Sequence, residues 1–347
     1  ILRCLVGSEM CIRDRYAGAS DDLVDSRNIA IGTSALQFNN HRNRLIAIGD
    51  SALFNNGIGA LFNNQAKGNI AIGSKSLFAN TTGYRNTATG TETMIANTTG
   101  NQNTATGYQS LYANTTGAQN TANGISTLST NTTGMNNTAL GAFSLNGNNT
   151  GNGNTAVGSV ALFKNSTGDN NVATGNAALY ENTTGNCNTA VGNNALRLNT
   201  DRSNLVAIGD SALYNNGVGA SQAVHATGNT AVGSNALFFN TTGYKNTGVG
   251  YKSLFLNTTG YLNTASGFES LYNNSTGIRN TANGYKTLHS NTTGYNNTAI
   301  GVFALIYNTT GYNNIAVGNS SLFDNTTGSQ NTATGSTSLN SNTTGIF

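Results

Sequence analysis

The chain has 347 residues, of which 43 are glycine, 8% are charged and none is proline or tryptophan. Globular domains usually carry about a quarter charged residues, and disordered chains are rich in charge or proline, so the composition fits neither class. The net charge of +3 without a basic cluster gives nucleic-acid binding no support. No apolar run reaches the roughly 18 residues that span a bilayer.

Residues 1–27 contain no copy of the pattern that fills the rest of the chain. Residues 1–15 resemble a peptide that recurs at the ends of reading frames translated from shotgun assemblies. As a signal peptide they are poor, because Arg3 and Glu9 interrupt a short apolar stretch. We therefore predict that residues 1–27 are an artefactual or disordered leader, and that the chain is a segment of a longer protein.

From residue 28 onward the sequence is a tandem repeat. A glycine closes an N-T-A-x-G motif in eighteen copies, and it recurs every 17 residues except at two intervals of 24. Residues 103–119, NTATGYQSLYANTTGAQ, are one unit. Within it, the strand alanine and the leucine are each kept in seventeen copies, and the asparagine of N-T-T-G is kept in all eighteen.

A longer period lies over the short one. Residues 45–60 reappear at 205–220 with thirteen of sixteen positions identical, an offset of 160 residues. Each 24-residue interval adds a seven-residue insertion, which places inserted loops at 57–68 and 217–228. We predict a single repeat domain over residues 28–347, built from two nine-coil super-repeats.

The short repeat length predicts the fold class. Seventeen residues are too few for helical repeats of about 33–47 residues, but they suit one coil of a solenoid. The T-A-x-G segment alternates like a strand, and a second short strand is expected around the leucine. Burying one leucine gains about 1.5–3 kcal/mol, far less than the cost of ordering 17 residues at about 1–2 kcal/mol each. The prediction is an all-β, parallel β-solenoid or β-roll of about 18 stacked coils, each with two short strands.

Four positions of the unit are predicted to be structural. Alanine and leucine should form inward-facing rows, asparagine should stack into amide ladders, and glycine should form the tight corners. Representative positions are Ala88, Ala105, Ala122, Leu111, Leu128, Leu145, Asn97, Asn114, Asn131, Gly90, Gly107 and Gly124.

The units NIAIGTSAL (28–36), LIAIGDSAL (45–53), NIAIGSKSL (69–77) and NTAVGNNAL (188–196) resemble the head repeats of YadA-like trimeric autotransporter adhesins. Those heads carry a motif of the type N-x-[VI]-A-I-G-x-x-[SA]-x-A. The resemblance implies a left-handed parallel β-roll of three chains that attaches to host or matrix surfaces. Similar repeats occur in large bacterial surface proteins and in proteins like phage tail fibres. This chain departs from the family in its longer coil and its added N-T-T-G turn.

The expected function is a non-enzymatic, extracellular structural or adhesive fibre segment of a bacterial surface or phage-type protein. The expected partners are further copies of the chain, as a trimer or an end-to-end or lateral fibre, and host or matrix surfaces or glycans. No catalytic, cofactor or metal motif is present, and His41, His225 and His289 are read as turn residues. An ice-binding solenoid with threonine rows is the alternative. Within the strand segment of the repeat, clean T-x-T pairs occur only at Thr87/Thr89, Thr104/Thr106 and Thr332/Thr334.

Two features are candidate binding surfaces. The first is the position after the leucine, which is aromatic in ten coils and forms either an exposed interface row or a locally packed corner. Its members are Phe54, Phe78, Tyr112, Phe163, Tyr180, Tyr214, Phe238, Phe255, Tyr272 and Phe323.

The second candidate is the pair of inserted loops and the charged residues near them. Arg42 and Arg44 stand beside the first insertion and Arg202 beside the second, and Asp50 and Asp210 follow. Loops on a rigid scaffold often carry specificity, so a recurrent ligand or lateral-contact site is one interpretation. Tolerated variation in loop length is the other.

Overall fold

The structure, a computed structural model, describes residues 3–4, 11–13, 27–39 and 42–345. The chain divides into two compact units, Ile1–Asn170 (unit 1) and Asn171–Phe347 (unit 2). The described residues of both units form β-strands and turns without any helix. Within that described part, nothing long and apolar enough to cross a membrane as a helix is found.

The described residues of unit 1 contain ten strands. They are β1 Arg3–Cys4, β2 Cys11–Arg13, β3 Ile29–Ile31, β4 Ile46–Ile48, β5 Ile70–Ile72, β6 Thr87–Thr89, β7 Thr104–Thr106, β8 Thr121–Asn123, β9 Thr138–Leu140 and β10 Thr155–Val157.

The described part of unit 2, which ends at residue 345, also contains ten strands. They are β11 Val172–Thr174, β12 Thr189–Val191, β13 Val206–Ile208, β14 Thr230–Val232, β15 Thr247–Val249, β16 Thr264–Ser266, β17 Thr281–Asn283, β18 Thr298–Ile300, β19 Ile315–Val317 and β20 Thr332–Thr334.

Within each unit, the repeat strands pair in parallel and in register. In unit 1, Ala105 lies opposite Ala88 on one side and Ala122 on the other. Unit 1 has eight such coils, from β3 to β10, and unit 2 has ten, from β11 to β20. At the start of unit 1, β1 pairs antiparallel with β2, and β2 pairs in parallel with β3. The prediction of an all-β, parallel β-solenoid of about eighteen coils is confirmed.

The prediction of two strands per coil is wrong, because each repeat coil holds one three-residue strand. The leucine segment is a turn in which Gln109 and Leu111 both have positive φ, 54° and 50°. Left-handed residues cannot continue an extended strand. The ladder between coils nevertheless runs on through this turn, since the Leu111 amide donates to the Thr127 carbonyl at 2.9 Å.

The interior of each coil is small and apolar. The strand alanine and the leucine are fully buried, as at Ala105 and Leu111 in unit 1 and at Ala282 and Leu288 in unit 2. Met94 replaces the leucine in one coil and is equally buried. Burying about one leucine per coil stabilises the fold. Each of these leucines also adopts a positive φ, which costs about 1–2 kcal/mol.

Candidate functional site

The N-T-T-G turn is organised by a buried asparagine. Asn114 donates from Nδ2 to the carbonyl of Gly117 in its own turn at 3.0 Å. The same nitrogen donates to Oδ1 of Asn97, one coil earlier, at 2.8 Å. Asn131 repeats both contacts one coil later. The predicted asparagine ladder is confirmed, and it fixes this corner of the coil in every turn that keeps the pattern.

A second buried asparagine row stands at the first position of the unit. The Asn103 amide donates to Oδ1 of Asn86 at 3.0 Å, and Asn103 Nδ2 donates to the Gly117 carbonyl at 2.8 Å. Gly117 therefore accepts from both asparagine rows. Leu45 and Leu205 replace this asparagine, each in the coil that carries an insertion.

Both inserted loops arise inside the N-T-T-G turn. Asn56 donates to the carbonyl of Ala66 at 3.0 Å, and Asn216 donates to that of Ala226 at 2.9 Å. These contacts replace the bond to the turn glycine. The two threonines between asparagine and glycine thus expand to the nine residues 57–65, while the anchoring contact of the coil is kept.

Arg42 holds the first loop in place. Its Nη2 donates to the Ala60 carbonyl at 2.6 Å and its Nη1 to the Phe62 carbonyl at 3.1 Å. Its own carbonyl accepts from Asn39 at 2.9 Å, as the turn glycine does in other coils. Arg42 therefore occupies the position of the turn glycine. Its side chain is buried and extends into the loop of the next coil.

Arg202 does the same in unit 2. It donates to the carbonyls of Ala220 at 2.8 Å and Gln222 at 3.1 Å, the positions equivalent to Ala60 and Phe62. It also forms an ion pair with Asp201 at 3.2 Å. The two arginines predicted as binding residues are thus engaged in supporting their loops.

The other charged candidates divide between two places. Arg44 is exposed and lines a cavity of about 440 Å³ beside the first loop. Asp50 and Asp210 are exposed directly after the glycines that end β4 and β13, and Asp50 is not among the residues that line the cavity. The lining residues are Asn43, Arg44, Asn63, Asn64, Lys67, Gly68, Tyr84 and Arg85.

The tip of the first loop exposes two large apolar side chains. Leu61 is 86% exposed and Phe62 is 65% exposed. The equivalent residues of the second loop are Ser221 and Gln222. The tips are therefore unlike, although the arginine contact beneath them is the same.

The predicted aromatic row after the leucine is half-exposed and packed along its length. Tyr214, Phe238, Phe255 and Tyr272 stack in successive coils, with ring centroids 5.1–5.6 Å apart. In unit 1, Phe54 and Phe78 stack in the same way at 4.9 Å, and Tyr112 is 38% exposed. The remaining members are Phe163, Tyr180 and Phe323, all half-exposed. Neighbouring rings cover one another's faces, so the row combines local packing with an exposed edge.

Sequence reasoning missed a second aromatic row. Tyr251, Phe268 and Tyr285 directly follow the strand-ending glycines, stack at 5.3 Å and are about two-fifths exposed. Lys252 Nζ lies 5.2 Å from the Tyr251 ring centroid, and a hydrogen bond with Tyr251 raises the pKa of Lys252. The spacing of 17 residues between these aromatics was the signal that could have revealed the row.

A small charged cluster lies beside the aromatic row that follows the leucine. Glu269 contacts Lys286 at 3.3 Å and His289 Nε2 at 3.6 Å. Burial lowers the pKa of His289, Lys286 acts in the same direction, and Glu269 opposes the shift. His289 also stacks on Tyr272 at 5.1 Å, so the imidazole continues the aromatic row.

The threonine pairs lie on the outer face of their strands. Both threonines are exposed in β7 and β20, and those of β6 are half-buried. In β8 and β9 the third strand residue is Asn123 or Leu140, which interrupts the row.

Among the described residues, no group of three or more His, Cys, Asp or Glu side chains is placed to hold a metal ion. His41 lies outside the described residues. His225 lies in a turn of the second inserted loop, and His289 lies in the turn that follows Leu288. The sequence matches no known family model, and none of the curated proteins is significantly similar to it.

Proposed function

We propose that this chain is a non-enzymatic, extracellular segment of a bacterial surface or phage-type fibre that supports and presents adhesive loops. The observation that carries the proposal is the contrast between a uniform scaffold and a single kind of interruption. Coil after coil repeats the same buried contacts, whereas the inserted loop of unit 1 exposes Leu61 and Phe62 beside a polar cavity. A rigid framework with variable loops is an arrangement typical of recognition proteins.

The uniform contacts suit a mechanical role. Each coil is held by backbone ladders, two asparagine rows and an apolar interior, and none of these contacts depends on a bound ligand. Repeat arrays gain stability from nearest-neighbour contacts, so further coils extend such a protein at constant stability per coil. A fibre needs this property and a small globular domain does not.

Adhesion is tested with the purified protein on fluorescent beads. Beads coated with the protein should be retained under flow on an immobilised extracellular matrix, and albumin-coated beads should wash off. Retention equal to that of albumin would contradict the adhesive role.

Assembly is tested by light scattering. From the resemblance to trimeric adhesin heads we expect an assembly of three chains. Its mass would be 3 × 35.8 kDa, or about 107 kDa. The exposed row of Tyr251, Phe268 and Tyr285 offers an apolar surface for such contacts. A monomer of 35.8 kDa at high concentration would remove the trimeric part of the proposal.

Ice binding is the second candidate, favoured by the outward threonine pairs of β7 and β20. Thermal hysteresis of the concentrated protein is the test. Freezing and melting points that coincide would reject it.

A further inference from the structure

The cavity beside the first inserted loop is strongly cationic. Arg44, Lys67 and Arg85 line it together with three asparagines, Tyr84 and Gly68. Of the eight described residues that line it, none is acidic. In a chain with only 16 basic and 13 acidic residues, three cations around one cavity are a marked local concentration of charge.

The repeat fixes the spacing of the two arginines. Arg44, Gly68 and Arg85 occupy the same position in three successive coils. With strands about 4.8 Å apart, the two arginines stand roughly 10 Å from each other along the stack. Gly68 lies between them in the order of the coils and has a φ of +65°, a conformation that favours glycine. The glycine therefore adds no side chain between two arginines that line the same cavity.

Unit 2 shows that the loop does not need these side chains in order to fold. The backbone contact is the same in both units: the Arg85 amide donates to the Lys67 carbonyl at 2.9 Å, and the Lys245 amide donates to the Thr227 carbonyl at 2.9 Å. The lining itself differs, because Asn43, Arg44, Asn63, Asn64 and Lys67 correspond to Ser203, Asn204, Ala223, Val224 and Thr227. Cations and carboxamides are thus added in unit 1 to a loop that forms without them.

We propose that this cavity binds an anionic oligosaccharide through its carboxylate or sulfate groups. Guanidinium groups bind such oxyanions through paired, charge-assisted hydrogen bonds. The carboxamides of Asn63 and Asn64 can bond sugar hydroxyls. The guanidinium of Arg85 lies over the ring of Tyr84, 6.0 Å from its centroid. A volume of about 440 Å³ is within the usual range of small-ligand sites, roughly 300–1,000 Å³.

The exposed loop tip extends the surface beyond the cavity. Leu61 and Phe62 immediately precede Asn63 and remain largely exposed. They can pack against the apolar faces of neighbouring sugar rings. The biological role of this ligand rests on the proposed adhesive function, which the proposal makes more specific. The binding reaction itself needs neither a cell surface nor an oligomer.

The test is calorimetric titration of the purified protein with defined probes. A heparin-derived octasaccharide carries sulfate and carboxylate, tetragalacturonate carries carboxylate alone, and maltotetraose is neutral. We expect binding of at least one anionic probe, weakening between low and physiological ionic strength (about 0.15 M), and no binding of maltotetraose. Binding of tetragalacturonate would show that carboxylate groups suffice, and binding of the heparin fragment alone would show that they do not.

Matched variants locate the site. The pair Arg44→Asn and Lys67→Thr installs the residues of unit 2 and should reduce affinity about tenfold or more. The control pair Lys75→Asn and Arg279→Gln removes the same charge at exposed positions outside the cavity and should change affinity less than about twofold. Arg279 occupies the same coil position as Arg44, so the arginine changes of the two pairs fall on equivalent backbone.

A gain-of-function graft tests the converse. The five exchanges are Ser203→Asn, Asn204→Arg, Ala223→Asn, Val224→Asn and Thr227→Lys. They should raise the stoichiometry from one site per chain to two. Four results would overturn the proposal: no binding of either anionic probe, equal losses in the test and control pairs, an unchanged stoichiometry in the graft, or tighter binding of an oligodeoxythymidylate through the same residues. None of them depends on whether the coated beads adhere to matrix.

Discussion

Single residues of the unit are kept because neighbouring coils lie so close together. Gly107 has a φ of +121°, and a Cβ atom there would stand 2.5 Å from the carbonyl oxygen of Gly124 in the next coil. Gly117 has no positive φ, yet a Cβ atom at this position would stand 2.5 Å from the Gly134 oxygen. Gly107 is therefore required by its backbone conformation and by the close contact with the next coil. Gly117 is required by close contact alone.

Gly107→Ala should therefore destabilise the fold more than Gly335→Ala. Gly335 has a nearly equal φ of +119°, but no heavy atom of the described structure lies within 4 Å of its Cβ position. The φ strain of about 1–3 kcal/mol is common to both changes, and the clash adds about 1–3 kcal/mol at Gly107 alone. Urea unfolding of the two variants measures the difference. Equal midpoints would show that contact between coils does not select this glycine.

The titration of His289 should make stability depend on pH. Burial lowers its pKa from the ordinary 6.5, so the unfolded chain binds this proton more readily than the folded chain. Stability is therefore full above pH 6.5 and is lost as the pH falls from 6.5 towards the lower folded pKa. Lys286 and Glu269 lie beside the ring, and Tyr272 stacks on it.

His289→Tyr continues the aromatic row without a group that titrates in this range. Its urea midpoint should decline less between pH 7.5 and pH 5.5 than that of the wild type. Two identical pH profiles would mean that the imidazole is solvated equally in both states.

At the scale of elements, the arginine that replaces the turn glycine is the main device for supporting an inserted loop. A buried guanidinium that donates two hydrogen bonds to loop carbonyls orders a segment whose backbone otherwise bonds to the next coil at Gly57 and forms local turns. Arg42→Ala should leave the coils folded and increase amide hydrogen exchange in residues 57–65. Each charge-assisted bond contributes about 1.5–3 kcal/mol, so the increase should be at least about tenfold.

Arg202→Ala supplies the matched comparison. It should increase exchange in residues 217–225 and leave residues 57–65 unchanged, because the loop carbonyls that the Arg202 guanidinium reaches, those of Ala220 and Gln222, belong to the second loop. Faster exchange across all coils in either variant would instead assign the arginines to the stability of the whole unit.

The sequence allowed part of this element to be predicted. The 24-residue intervals located both insertions, and the recurrence of Arg42 and Arg202 marked them as special. The role of the arginines was not foreseen, because the carbonyls they reach depend on the path of the loop. The second strand was predicted wrongly for a related reason: Leu111 adopts a left-handed φ that leucine rarely takes, and stacking rather than local preference holds it there.

At the scale of the whole molecule, in-register stacking makes the coil the unit of stability. Every contact described for β7, including its ladder, its alanine and its asparagines, is repeated in β6 and β8. Deleting residues 103–119 therefore removes one complete coil and brings β6 next to β8 with the same partners. The shortened protein should keep its circular dichroism per residue and lose only one nearest-neighbour interface of unfolding free energy.

Deleting only residues 103–110 should act quite differently, although fewer residues are lost. The remaining part of the coil keeps Leu111 and Asn114 but has no strand, so neither the alanine row nor the first asparagine row can continue across the gap. We expect this variant to lose a large part of its β signal or to aggregate, since unit 1 would be left with two unpaired edges. Urea unfolding and light scattering of the two deletions distinguish these outcomes. A half-coil deletion as stable as the full-coil deletion would show that register between coils is not what specifies this fold.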